Sequence, residues 1–146
     1  MCVSARRSDD GRLWNIELKA RDGSTVSLQA RGLVNAAGPW VKRFLDEEAH
    51  IVTPKRVRLI KGSHIIVPRL YEGEHAYILQ NSDNRIVFII PYERSFSAIG
   101  TTDIPVDHGE TPVCTPDEIV YLCDIVSHYL AKPVTPAEVV WTYSGV

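Results

Sequence analysis

A histidine in a strand-like segment is the first residue whose type and position suggest chemistry. His64 ends the stretch Lys61-Gly-Ser-His64, and strand alternation puts its side chain on the same side as Gly62 and Ile66, a face that we expect to be covered. The unperturbed pKa of histidine, about 6.5, suits proton removal near neutral pH, so His64 could act as a general base. A core histidine with a satisfied hydrogen bond would give the same pattern.

A run of small residues, Asn35-Ala-Ala-Gly38, is the second candidate site. The apolar residues 33–38 predict a buried strand, and Pro39 suits the first turn of a helix. Small side chains at such a junction allow a dinucleotide to approach the backbone, but tight packing of strand against helix needs the same residues. The glycine-rich GxGxxG phosphate fingerprint is absent from the sequence, so we expect no self-sufficient dinucleotide site.

Three further segments carry polar or aromatic groups. Arg85 could attract a phosphate or a carboxylate, or could be a solvated charge at a strand end. Gly100-Thr-Thr-Asp103 could bind a polar ligand, although such residues more often cap a turn. Trp141-Thr-Tyr-Ser-Gly145 offers a phenol hydroxyl and aromatic surface. Its two aromatic residues share a strand face with Val139, which indicates core packing as the simpler explanation.

Hydrophobic periodicity predicts the elements that would position these residues. In the first fifty residues, alternation on either side of Asp22-Gly23 predicts a β-hairpin, followed by the strand 33–38 and a helix from Pro39. From residue 51 onward the pattern changes to strands. The predicted strands are 57–67, 77–80, 85–90, 96–102 and 139–146. The fold class is therefore α+β, with a predominantly antiparallel sheet in residues 51–146.

One helix is predicted within the second part of the chain. Thr115-Pro-Asp-Glu118 has the pattern of a capping box with proline in the first helical turn. Apolar residues then recur at helical spacing up to Leu130, which predicts an amphipathic helix over residues 116–130 with one face against the sheet. Lys132-Pro133 would end it.

The composition excludes several classes of protein. A net charge of −2 and a pI near 6.2 give no global attraction to nucleic acid. The three cysteines lack the spacing of a disulfide framework or a zinc site, so we expect no metal and a cytoplasmic location. The sequence lacks an apolar run as long as the roughly 18 residues of a membrane helix. The sequence ends within an apolar, strand-like run of residues, so we expect it to be part of a larger parent protein.

Six stretches of the sequence, taken in order, resemble the FAD-dependent glycerol-3-phosphate dehydrogenases, a branch of the D-amino-acid-oxidase-like flavoproteins. They are Ala30-Arg-Gly-Leu-Val-Asn-Ala-Ala-Gly-Pro-Trp-Val41, Arg58-Leu-Ile-Lys-Gly-Ser-His64, Ala76-Tyr-Ile-Leu-Gln-Asn81, Arg85-Ile-Val-Phe-Ile-Ile-Pro91, Ile99-Gly-Thr-Thr-Asp103 and Val140-Trp-Thr-Tyr-Ser-Gly-Val146. The resemblance implies a parent enzyme that oxidises sn-glycerol 3-phosphate to dihydroxyacetone phosphate, reduces FAD and passes electrons to quinone. It also implies a peripheral position on the inner face of an energy-transducing membrane, through contacts that this chain does not encode.

The resemblance also implies roles for individual residues. Residues 1–50 correspond to part of the FAD-binding α/β lobe, and residues 51–146 to a truncated substrate domain. His64 corresponds to a histidine on the substrate side of the flavin and is the candidate base for the C2 hydroxyl. The candidate cofactor-binding residues are Ala36, Ala37, Gly38 and Trp40, and the candidate substrate-binding residues are Lys61, Arg85, Tyr143 and Ser144.

Two departures from the family pattern limit what this chain could do alone. The N-terminal glycine-rich phosphate loop is missing, and the sequence stops before an arginine that the family pattern places after Ser-Gly-Val. We therefore expect the isolated chain to be inactive and not to hold FAD. Another oxidase of the same flavoprotein superfamily is the alternative within the enzyme class, and a non-catalytic binding module is the alternative outside it.

Overall fold

The computed structural model describes residues 1–107 and 111–146, which form two compact units, Met1–Val57 and Arg58–Val146. The boundary expected from the sequence lies after residue 50. Residues 51–57 instead belong to the first unit, although they form no helix or strand.

The first unit contains a three-stranded antiparallel sheet. Its strands are β1 (Cys2–Arg7), β2 (Trp14–Lys19) and β3 (Thr25–Ala30), in the order β1-β2-β3. The predicted hairpin is confirmed as β2 and β3, which pair in register from Trp14 opposite Ala30 to Lys19 opposite Thr25. Strand β1 was not predicted from the sequence. The register of its pairing with β2 shifts between Cys2 and Ser4. This irregularity breaks the simple alternation by which a strand is recognised in a sequence.

The predicted strand over residues 33–38 is wrong. These residues form no strand, and Val34 is 87% exposed. A strand requires a neighbour for its backbone hydrogen bonds, and no strand among the described residues pairs with this segment. The Asn35 side chain instead accepts a hydrogen bond from the Ala37 N–H at 3.2 Å and donates one to the Val41 carbonyl at 2.9 Å. The segment is thereby folded into a turn.

The predicted helix after this turn is present but irregular. It consists of a 3-10 turn (Gly38–Trp40), one α-helical turn (Val41–Arg43) and a π-helical turn (Phe44–Glu48). Gly38 has a φ of 53°, a left-handed conformation that glycine adopts without steric cost. The side chain of Trp40, in the first of these turns, is 61% exposed.

The second unit is built on a six-stranded antiparallel sheet. Its strands are β4 (Ile60–Pro68), β5 (Tyr77–Gln80), β6 (Ile86–Tyr92), β7 (Phe96–Gly100), β8 (Ile104–Pro105) and β9 (Trp141–Gly145). The order is β5-β6-β7-β4-β8, and β9 also pairs with β4. The predicted α+β class with a predominantly antiparallel sheet is confirmed, and β5, β6 and β7 form an antiparallel meander. Strand β4 begins at Ile60 rather than at residue 57, and the short β8 lies outside the predicted set.

The predicted helix is confirmed as Pro116–Ser127, with the capping box between Thr115 and Glu118 formed. Its apolar face packs on one face of the sheet, and the shared core consists of Ile65, Val67, Leu79, Val87, Ile89, Ile99, Leu122, Cys123, Val126 and Val134. Burial of each large aliphatic side chain contributes about 2 kcal/mol. The helix ends at Ser127 and not at Leu130 as predicted. The Ser127 hydroxyl donates to the Cys123 carbonyl at 2.7 Å and accepts from the Val134 N–H at 2.9 Å.

The opposite face of the same sheet, called here the outer face, carries exposed apolar side chains. They are Ile78, Ile86, Phe88, Ile90, Tyr92, Trp141 and Tyr143. Core packing, which the sequence favoured for the last strand, is therefore wrong: Trp141 is 68% exposed and Tyr143 is 47% exposed. The described residues include no helix with the length and apolar character that crossing a bilayer requires.

Candidate active site

The imidazole of His64 lies on the outer face of the sheet, stacked on a tyrosine. His64 in β4 is directly opposite Tyr143 in β9, and their ring centroids are 4.7 Å apart with an angle of 2° between the planes. On its other side, His64 is directly opposite Gly100 in β7. The antiparallel register of three strands thus brings two of the predicted site residues, His64 and Tyr143, into contact.

The space for the His64 ring is provided by Gly100. A Cβ atom built on Gly100 would overlap Cδ2, Cγ and Nε2 of the imidazole, so only glycine fits there while the ring keeps its position. Gly62, on the same face of β4 in the sequence pattern, does not provide this space, because a Cβ on Gly62 would overlap the Thr101 hydroxyl instead. A glycine inside a strand is the signal that could have identified Gly100, because such residues mark close approaches.

Burial determines the charge state of His64. The side chain is half-buried, and this burial lowers its pKa from the ordinary value of 6.5. Its Nδ1 atom is buried and has no hydrogen-bond partner among the described residues. The imidazole is therefore neutral at neutral pH, and a neutral imidazole has one nitrogen free to accept a proton.

Lys61 and Ser144 lie on the opposite, helix-facing side of the sheet from His64, in a buried polar cluster. The Lys61 ammonium donates to Glu118 Oε2 and to the Val113 carbonyl, both at 2.8 Å. The hydroxyls of Ser144 and Ser63 are 2.7 Å apart. These two predicted substrate-binding residues are thus separated from the His64–Tyr143 pair by the sheet itself.

Arg85 is also remote from the stack. It lies at the turn between β5 and β6, where its guanidinium carbon is 5.4 Å from the ring centroid of Tyr121 and its Nε is 3.9 Å from an oxygen of Asp83. Tyr121 belongs to the Pro116–Ser127 helix, so the side chain of Arg85 is turned towards the helix side of the sheet. A cation–π contact and a partly exposed ion pair satisfy its charge there.

The other group of predicted site residues belongs to the first unit. Ala36 and Gly38 are exposed and Ala37 is partly buried, and a Cβ on Gly38 would have no neighbour within 4 Å. The turn made by Asn35 therefore presents small, accessible residues next to the exposed indole of Trp40. A flat group could approach this backbone closely. Asn35, which sets the turn, belonged to the predicted motif but not to the predicted binding residues.

The family of FAD dependent oxidoreductases matches residues 2–146, which is nearly the whole chain. The chain belongs to this family. It is similar to the glycerol-3-phosphate dehydrogenase of Pseudomonas aeruginosa, with 49% identity over 99% of this chain and 28% of that protein. The aerobic glycerol-3-phosphate dehydrogenase of Escherichia coli is 49% identical over 99% of this chain and 29% of its own length. The D-erythritol 1-phosphate dehydrogenase of Brucella abortus is 42% identical over the same shares.

These comparisons assign the chain to the FAD-dependent oxidoreductases. The chain is, however, much shorter than the relatives that it matches. The chain spans about 28% of the length of the first of these relatives. Among residues 1–107 and 111–146, no cluster of histidine, cysteine and carboxylate side chains has the arrangement of a metal site. The side chains on the outer face fit an organic cofactor and substrate, since they combine exposed aromatic surface with the half-buried imidazole of His64.

Proposed function

We propose that this chain forms part of an FAD-dependent glycerol-3-phosphate dehydrogenase and supplies its catalytic base, His64. The observation that carries the proposal is the His64–Tyr143 pair, which holds a neutral imidazole on an open apolar face. The relatives named above, two of which are glycerol-3-phosphate dehydrogenases, support the same substrate. The proposed reaction is the oxidation of sn-glycerol 3-phosphate to dihydroxyacetone phosphate.

In the proposed mechanism His64 accepts the proton of the C2 hydroxyl. Oxidation of a secondary alcohol requires loss of this proton. It also requires loss of the C2 hydrogen together with two electrons, which is a hydride equivalent. FAD, when bound, supplies the acceptor for that hydride equivalent. Because Nδ1 is buried, we assign the accepting role to Nε2. The stack with Tyr143 and the close approach to Gly100 fix the plane of the ring, so that the accepting nitrogen has a defined direction.

The remaining predicted site residues have supporting roles in this proposal. Ala36, Ala37, Gly38 and Trp40 would lie beside the cofactor, because small exposed residues permit close contact. Lys61 and Ser144 act from behind the sheet through the buried cluster rather than on substrate. Arg85 would reach a substrate phosphate only by leaving Tyr121, so we propose no phosphate contact for it.

The electron acceptor and the cellular position of the parent enzyme belong to the same proposal. We propose that electrons pass from the flavin to quinone and that the parent is a peripheral protein on the inner face of an energy-transducing membrane. Both follow from the resemblance to the family rather than from any residue of this chain.

The test is anaerobic reduction of the flavin by sn-glycerol 3-phosphate in the full-length protein, comparing His64→Ala and His64→Gln with the wild type. Loss of a general base lowers the rate by roughly 10²–10⁴-fold, and FAD content should be unchanged in both variants. Glutamine keeps much of the volume and hydrogen bonding of histidine but cannot accept the proton. Near-normal reduction by His64→Gln at every pH would show that the imidazole only positions the substrate.

The choice of substrate separates this function from its alternatives. D-Erythritol 1-phosphate, named for the relative from Brucella abortus, is the comparison polyol phosphate, and a D-amino acid is the comparison for an oxidase of the wider superfamily. Preference for glycerol 3-phosphate in kcat/KM supports the proposal. Preference for the amino acid would replace the function by that of an amino-acid oxidase, and no reduction by any of the three would favour a non-catalytic module.

A further inference from the structure

The carboxylate of Glu118 is the centre of the buried polar cluster. Glu118 is 3% exposed and lies in the first turn of the Pro116–Ser127 helix. Its Oε2 accepts from the Lys61 ammonium and from the Thr115 N–H, each at 2.8 Å. Its Oε1 accepts from the hydroxyls of Ser63 at 2.7 Å and Thr102 at 2.8 Å. Four donors thus converge on one carboxylate.

Three members of this cluster lie next to the residues that form the His64 stack. Ser63 precedes His64, and Ser144 follows Tyr143, with the two serine hydroxyls 2.7 Å apart. Thr102 follows Gly100 by two residues, and its hydroxyl accepts from the Ser63 N–H at 2.9 Å.

Adjacent side chains of a strand point to opposite faces of a sheet. The cluster on the helix side therefore fixes the backbone positions from which His64 and Tyr143 extend on the outer face.

We propose that Glu118 is a positioning residue for the His64–Tyr143 stack. Its contacts bind β4 and the segment after β7 to one fixed point on the helix, and the hydrogen bond between Ser63 and Ser144 extends this link to β9. The two strands then hold their register and spacing, and the imidazole keeps its parallel orientation. This inference rests on the proposed function for its catalytic consequence, but the geometric claim stands separately from it.

The charge of Glu118 supports this role. Burial raises the pKa of its carboxyl, but the hydrogen bonds from Lys61, the Thr115 N–H, Ser63 and Thr102 outweigh burial and lower the pKa to about 2. Glu118 is therefore ionised over the working range of an enzyme and accepts from all four donors at once. A glutamine would put an amide NH₂ where one of these oxygens stands, against at least one donor.

The chain supplies a matched control in Glu138. Glu138 completes a second capping box with Thr135, accepting from its N–H at 2.9 Å and its hydroxyl at 3.0 Å, and lies 3.6 Å from Lys132. It therefore shares the helix-capping role and a lysine partner with Glu118. None of its hydrogen bonds among the described residues reaches β4 or β9.

The experiment compares Glu118→Gln, Glu118→Asp and Glu138→Gln in the full-length protein, with two readouts. The first is the pH profile of flavin reduction by sn-glycerol 3-phosphate. The second is the rate at which diethyl pyrocarbonate modifies His64, measured by mass spectrometry, which does not depend on activity. We expect Glu118→Gln to reduce the rate roughly 10–100-fold, the scale of a misplacement of about 1 Å, to shift its pH profile and to speed modification of His64. Glu118→Asp should have smaller effects than Glu118→Gln on flavin reduction and on the modification of His64. Glu138→Gln should change neither readout.

The outcomes separate this inference from the proposed function. Faster modification of His64 in Glu118→Gln, in a protein whose wild type does not oxidise glycerol 3-phosphate, would support the positioning role and reject the function. An unchanged pH profile and unchanged modification rate, in an active but less stable Glu118→Gln protein, would overturn the positioning role. If Glu118→Gln does not fold, Ser63→Ala provides the test of the positioning role. This substitution removes the hydrogen bonds of the Ser63 hydroxyl to Glu118 and Ser144 and leaves the capping box intact. Ser63→Ala should then speed modification of His64, and an unchanged rate would reject the inference.

Discussion

His64 and Tyr143 face each other across two antiparallel strands with their rings within 2° of parallel and their centroids 4.7 Å apart. This relationship joins residues that are far apart in the sequence. The contact with His64 is made by the face of the Tyr143 ring and not by its hydroxyl. The orientation of the proposed base therefore depends on the position of β9 beside β4.

Removal of the Tyr143 ring should affect the proposed base more than removal of its hydroxyl. An aromatic pair contributes about 0.5–1.5 kcal/mol, so Tyr143→Ala should slow flavin reduction by up to about tenfold. Tyr143→Phe keeps the stacked ring and serves as the control, with a rate close to that of the wild type. Rapid-mixing measurement of flavin reduction in the full-length protein gives both rates. Equal losses in the two variants would assign the effect to the hydroxyl.

Gly100→Ala should displace the His64 ring, since the new Cβ would overlap it. Overpacking of this kind costs about 1–3 kcal/mol in the free energy of unfolding, and the proposed catalytic rate should fall as well. Gly145→Ala, in β9, which pairs with β4 as β7 does, is the matched control because its Cβ would have no neighbour within 4 Å. Urea unfolding and flavin reduction measure the two effects. The prediction fails if the two alanine variants behave alike.

Low pH should decrease the free energy of unfolding of the second unit, because Glu118 becomes protonated. Its pKa is about 2 in the folded protein against an ordinary value of 4.5, so the unfolded chain binds the proton at higher pH than the folded chain. The resulting stabilisation is complete above pH 4.5 and is lost as the pH falls towards about 2. The difference in pKa corresponds to about 3 kcal/mol.

Urea unfolding of the wild type and Glu118→Gln at about pH 6 and about pH 3 measures this contribution. Glutamine does not titrate, so the variant should be less stable at the higher pH and should lose less stability on acidification. An identical loss in both proteins would show that other carboxyl groups cause the acid sensitivity.

The isolated 146-residue chain should bind FAD weakly or not at all. The glycine-rich loop that anchors a dinucleotide phosphate in flavoproteins of this kind is absent from its sequence. Purified chain should be colourless, and added FAD should keep the fluorescence of the free cofactor. A yellow preparation with stoichiometric flavin would contradict this prediction.

Local patterns in the sequence were sufficient for much of the fold. The hairpin of β2 and β3, the meander of β5 to β7 and the capped helix all follow from periodicity and turn residues within short windows. The strand expected over residues 33–38 failed because a strand is stable only beside another strand, and its apolar residues do not specify one.

The candidate site was predicted only in part, because register between distant strands is not a local property. His64 and Tyr143 were both candidates, but their stacking depends on the pairing of β4 with β9. Glu118 was recognised as a helix cap from its spacing to Thr115, whereas its contact with Lys61 spans 57 residues. The clearance at Gly100 likewise depends on β7 lying beside β4. Such contacts become visible only when the sheet is assembled.

The outer face of the sheet also determines how the second unit can be handled as an isolated domain. Its exposed aromatic and aliphatic side chains would promote self-association in water, because burial of apolar surface between two copies is favourable. Ile78 and Trp141 are its two most exposed members, and neither is directly opposite His64 in the pairing of the strands. Polar residues at these two positions would therefore improve solubility while leaving the His64–Tyr143 pair and the Glu118 cluster intact.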